Sequence, residues 1–151
     1  MANTQAMCTS FKGELLVGHH NFGTGVVRAA TTADTLKAAL YLTTATINAS
    51  TTAYTATGEV SGAGYTAGGV TVTNATAPAT SGTTAYWTPS ASISYSAVTL
   101  STAFDCVLIY NSTQSNKAVS VHTFGSQTVT AGTFTLTMPT NDASTGLIRL
   151  A

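Results

Sequence analysis

From Thr35 onward apolar and polar residues alternate in short runs broken by Gly, Pro, Asn and Ser, the pattern of strands joined by turns. Residues 36–42 (LKAALYL), with the β-branched residues 43–47 behind them, read as a strand. Residues 52–58 are polar and fit a short helix or a loop. Gly69-Val70-Thr71-Val72-Thr73 alternates, as do residues 91–96 and 98–100. After Asp105 the chain is apolar without a break to Tyr110, which predicts a strand covered on both faces. Residues 111–116 form a polar turn into a strand over 118–122. Residues 127–130 and 133–138 alternate about a turn at Ala131-Gly132, and 147–150 make a last strand. Residues 74–84 read as one long surface loop. About eight short strands at this spacing predict an all-β domain, a β-sandwich of jelly-roll type, over residues 25–151.

Residues 1–24 break this rhythm. Ser10 can cap one or two helical turns over residues 11–17, against which Gly13 and Gly18 count. The expectation is an extended N-terminal arm with a short helix, followed by a turn at residues 19–23. No basic segment leads into a long apolar run, so no secretory signal is expected. Cys8 and Cys106 lack metal-ligand spacing and read as thiols in a chain made in a reducing cytoplasm.

Composition narrows the function. Five basic and five acidic residues make up 7% of the chain, against about a quarter in an ordinary soluble domain. That excludes a nucleic-acid binder held by a basic patch and argues against a basic membrane-surface helix. Polarity comes instead from 32 Thr and 14 Ser, and residues 60–104 carry no formal charge. A near-zero net charge favours association, which points to an assembly protein.

Candidate chemistry is sparse. The carboxylates Glu14, Asp34, Glu59, Asp105 and Asp142 are scattered, and no Gly-x-Ser-x-Gly accompanies His122 and Asp105. His19 and His20 are adjacent, so in a strand they would point to opposite sides and form no ready chelate. The expectation is therefore no enzyme, no metal and no cofactor. The run from Gly62 through Gly64 to Gly68 and Gly69 lacks the lysine and following helix of a phosphate loop. These four glycines read as structural turns where φ is positive or chains approach closely. Trp87, with Tyr86 and Pro89 beside it, reads as core or subunit interface in preference to a sugar-stacking platform.

The segment TAYTATGEVSGAGYTAGG over residues 52–69 (Thr52 to Gly69) resembles small structural proteins of tailed bacteriophages, in which a Tyr, a Gly-Glu-Val and a Gly-x-Gly-Tyr-x-x-Gly-Gly run precede an alternating strand. Tyr86-Trp87, Ile109-Tyr110-Asn111, Phe124-Gly125 and residues 132–136 and 146–150 fit the same pattern, over roughly residues 35–150. The resemblance implies a virion component with a β-sandwich or jelly-roll fold, similar to the decoration (cement) proteins on the outside of the head, and it brings no catalytic residues. Its partners would be the major capsid protein and copies of itself, as a dimer or trimer, with no nucleic acid and no membrane. The expected interface residues are Phe11, Leu15, Leu16, His19, His20 and Phe22 of the arm, ordering on a neighbour, with Tyr65, Tyr86 and Trp87. The alternative expectation is a tail, neck, collar or fibre-associated protein that binds host glycan in a groove lined by Trp87 or by Tyr54, Tyr65 and Tyr86.

Overall fold

A computed structural model describes residues 3–8, 11, 19–20, 22–23, 33–82 and 84–150. Its strands are β1 (Ala6–Met7), β2 (Leu36–Leu42), β3 (Val70–Thr71), β4 (Ala79–Ser81), β5 (Thr84–Trp87), β6 (Ile93–Asn111), β7 (Lys117–Leu136) and β8 (Ile148–Leu150). The protein is all-β, with two antiparallel sheets: a five-stranded sheet in the order β1-β7-β6-β2-β3 and a three-stranded one in the order β4-β5-β8. Among the described residues no helix is long and apolar enough to cross a membrane.

The frame is the β6–β7 hairpin. Its turn is the one predicted, and Ser115 and Asn116 close it with left-handed backbone, φ 53° and 59°. The Asn111 side-chain oxygen caps the turn by accepting the N–H groups of Thr113 and Gln114, both at 3.1 Å. The two alternating segments and the unbroken apolar run expected between residues 91 and 110 are one strand of 19 residues, roughly 60 Å long at the usual rise. Those expected between 118 and 138 likewise fuse into the 20 residues of β7.

The supposed turn at Ala131-Gly132 is a bulge inside β7. Tyr95 pairs with Phe134 and Val98 with Gly132, so β6 holds an extra residue there, and Ala97 takes φ 53°. Leu100 then pairs with Val129, so β7 holds the extra residue in the next interval, and Ala131 takes φ 44°. The second bulge undoes the register shift of the first, and both strands continue.

Near the turn the hairpin is covered on both faces: Cys106, Val107, Leu108, Ile109 and Tyr110 are all buried. Toward its open end only one face is covered. Ile93, Tyr95, Val98 and Leu100 are buried, while Ser94, Ser96, Ser101 and Thr102 are exposed. Burying each such large side chain is worth about 1.5–3 kcal/mol.

Residues 43–47 leave β2 in a turn, with the Ala45 N–H bonded to Leu42 O at 2.9 Å. Residues 52–58 are loop rather than helix. The long loop expected over residues 74–84 contains β4, paired to β5 through Thr80 and Ala85. At the N-terminus β1 completes the large sheet, Ala6 facing Val121 and Met7 facing Ser120. Asn3 ties this segment down. Its Nδ2 donates to Asp105 Oδ1 (2.7 Å) and Leu42 O (3.1 Å), and its Oδ1 accepts the Ile47 N–H (3.0 Å). Of the residues expected to begin a helix, Phe11 is described and has helical backbone; the others lie outside the described residues.

Candidate functional site

The outer edge of β2 shows what the Tyr- and Gly-rich segment over residues 52–69 does. β3 reaches only Lys37 and Ala38, so the backbone groups beyond need other partners. Tyr95 donates its hydroxyl to Ala38 O (2.9 Å), and Tyr65 accepts the Leu40 N–H on its own (3.0 Å). Val60 N–H then reaches Leu40 O, and Leu42 N–H reaches Gly58 O. Gly69, at φ +70°, crosses so close to Ala38 that any Cβ would strike the Ala38 carbonyl.

Glu59 is the hub of this clasp. Its carboxylate accepts the hydroxyls of Tyr54 (2.6 Å) and Tyr65 (2.7 Å) and the Gly68 N–H (2.8 Å). Tyr110 donates to Gly68 O (2.7 Å) and Tyr41 to Thr55 O (2.6 Å). Tyr54 stacks on Tyr110 at 4.9 Å and Tyr65 on Tyr95 at 6.0 Å. Burial, reinforced by the bond to Glu59, pushes the Tyr54 hydroxyl up to about 12. Burial raises Tyr41, Tyr65, Tyr95 and Tyr110 as well. All five hydroxyls stay protonated donors at neutral pH. Tyr54, Glu59, Tyr65, Gly68 and Gly69, spread over 16 positions of the motif, thus meet as one structural unit. Gly64, also at positive φ (+77°), passes over the Ala97 bulge, and Gly62 passes over Thr99 O.

The remaining predicted interface residues gather beside the small sheet. Phe11 packs edge-on to His20 (4.8 Å) and Phe22 (5.5 Å), and Phe22 packs on Trp87 (5.0 Å). Trp87 is 2% exposed and donates its indole N–H to Thr76 O at 2.8 Å, so it is a core residue and no open sugar platform. Phe11, His20 and Phe22 are buried too, within the chain instead of on its surface. His19 is exposed, and Leu15 and Leu16 lie outside the described residues. An apolar groove of about 160 Å³ remains above this cluster, walled by Phe22, Tyr86, Trp87, Ile148 and Leu150. At its rim Leu150 is 40% exposed, the one exposed large hydrophobic side chain among the described residues.

Two polar constellations escaped the linear reading. Buried Asn111 donates to Asp34 Oδ2 (2.8 Å) and lies 3.1 Å from His20 Nδ1, while Asn74 donates to Asp34 O (2.8 Å). Ser120 Oγ lies 2.9 Å from His122 Nε2, the pairing a nucleophilic serine needs. Ser120 is 1% exposed, however, so no substrate reaches it. Burial lowers His122 to about 4 and leaves the ring neutral. Cys8 and Cys106 are free, buried thiols, and burial pushes Cys106 up to about 12, away from the reactive thiolate. No three His, Cys, Asp or Glu side chains among the described residues are grouped to hold a metal ion.

Compared with protein-family models, with curated proteins and with solved structures, the chain has no match in any of the three.

Proposed function

We propose that this chain is a structural protein of a tailed-bacteriophage virion, a decoration protein that cements the outer surface of the head by non-covalent contacts across capsomers. The observation that carries the reading is the clasp. The residues behind the phage-like resemblance, Tyr54, Glu59, Tyr65, Gly68 and Gly69, bond to one another and pack on β2 as an architectural unit. A rigid, nearly uncharged β-domain suits a part that works by being held in place. Its short Thr and Ser side chains lose little rotamer entropy on contact. The groove beside Trp87 is the contact face this reading assigns, with Tyr86 and Leu150 meeting the major capsid protein or a second copy of the chain.

The reading is tested by adding purified protein to expanded, undecorated heads and counting bound copies by cryo-electron microscopy. Hundreds of copies on the outer lattice are expected. A dozen or fewer, at the portal vertex, would move the protein to the neck or tail, and absence from purified virions would overturn the reading.

A further inference from the structure

Lys37 stands in an unusual setting. It projects from β2, half-buried, and among the described residues its ammonium has neither a hydrogen-bond nor an ion-pair partner. It lines a pocket of about 280 Å³ whose other walls are Tyr65 and Tyr95, the valines at 70 and 98, the exposed residues Thr66, Thr71 and Ser96, and the glycines at 64 and 69. The pocket is separate from the apolar groove beside Trp87 and shares no residue with it. The clasp and the Ala97 bulge hold its walls, so it is formed before any ligand arrives.

An unpaired ammonium in a concave site favours an anion, which would exchange water for a charge-assisted hydrogen bond. A second charge limits which anion. Lys37 Nζ lies 3.4 Å from where a Cβ on Gly68 would sit, and the Gly68 N–H is bonded to the Glu59 carboxylate. With that negative charge behind the wall, a single negative charge is tolerated better than two. The half-buried Tyr65, backed by the buried Tyr95 ring, and the half-buried Val70 offer apolar surface for a ring's C–H face, and the threonine and serine hydroxyls suit a polyol. A space of this size holds one sugar ring and not a chain.

We infer that the Lys37 pocket binds an acidic pyranose, a sugar ring bearing one carboxylate, such as a sialic or uronic acid at the end of a glycan. The inference does not depend on the shell-binding reading, because it uses a different surface.

The test is calorimetric titration of the whole protein with N-acetylneuraminic acid, glucuronic acid, galactose, acetate and inorganic phosphate. At least one sugar acid is expected to bind saturably, with galactose, acetate and phosphate each about 10-fold weaker or more. Lys37→Met keeps the aliphatic stem and is expected to weaken the sugar acid about 10-fold or more at unchanged melting temperature. Thr66→Trp, at an exposed position on the rim, is expected to abolish binding by filling the mouth, and it serves if Lys37→Met fails to fold. The inference is overturned if neither sugar acid binds saturably, if acetate or phosphate binds as tightly as the sugar, or if either folded variant keeps wild-type affinity.

Discussion

Around Glu59 five tyrosines turn inward, and each hydroxyl donates to a carboxylate or carbonyl oxygen. Beside Trp87 the packing is led by the apolar rings of Phe11, Phe22 and Trp87, with His20 and Tyr86 at its margins; the indole N–H donates to Thr76 O, and a groove is left open above them. The first cluster is directional and closed: each bond names its partner, and moving one ring leaves a buried polar group unpaired. The second is held by area and shape, so it tolerates a vacant edge and can extend across a contact with another molecule. Polar aromatics close one cluster here, whereas apolar aromatics leave an open groove at the other.

Alkali should separate the clusters most sharply. A tyrosine whose folded pKa exceeds its unfolded value of about 10 contributes stability that is fully present below pH 10 and lost as pH rises through the folded value. For Tyr54 that window runs from 10 to about 12, and ionisation of the other four follows the same sign. Global unfolding in this range is expected, monitored by circular dichroism and Trp87 fluorescence. If the domain stays folded well above pH 12, the clasp does not hold it together.

Trp87→Ala should cost about 4 kcal/mol in denaturant melts, through the cavity and the lost ring contacts, and leave the alkaline midpoint governed by the tyrosines. Glu59→Gln follows at about 2–3 kcal/mol, because an amide cannot accept from two hydroxyls and an N–H as a carboxylate does. Its signature is a lower alkaline midpoint. A variant as stable as the parent would mean that the tyrosines find other acceptors. Leu150→Lys is the smallest in stability, within about 0.5 kcal/mol, since the side chain is already 40% exposed. It should nevertheless abolish addition to heads, and normal addition would remove the groove from the proposed contact.

Much of the fold was legible where burial is simple. The unbroken apolar run after Asp105 and the polar turn behind it predicted the hairpin's closed end, because a strand in mid-sheet with both faces covered has no reason to alternate. The distal half misled for the opposite reason. Ala97 and Ala131 each interrupt the alternation as a turn would, and only the partner strand shows that the two interruptions compensate. The short β4 in a stretch of Ala, Thr and Pro carried no apolar signal and exists through its ladder to β5. Of the candidate site, the tyrosines and glycines were visible as a pattern. Glu59 was visible within Gly-Glu-Val, but its bonds to two of the tyrosines and to Gly68 were not, and Lys37 carried no signal at all.

By itself the sequence determined an all-β chain poor in charge, the closed end of its hairpin, and a motif of Tyr, Glu and Gly at set spacings, because local burial and backbone freedom act over a few residues. Tertiary structure alone decided that the motif closes on the unpaired edge of β2, that Phe11, His20 and Phe22 lie under Trp87, and that Lys37 faces an open polar pocket. Those outcomes depend on which distant backbone groups are left without partners, and a hydrogen-bond deficit on one strand appears only when its neighbours have taken their places.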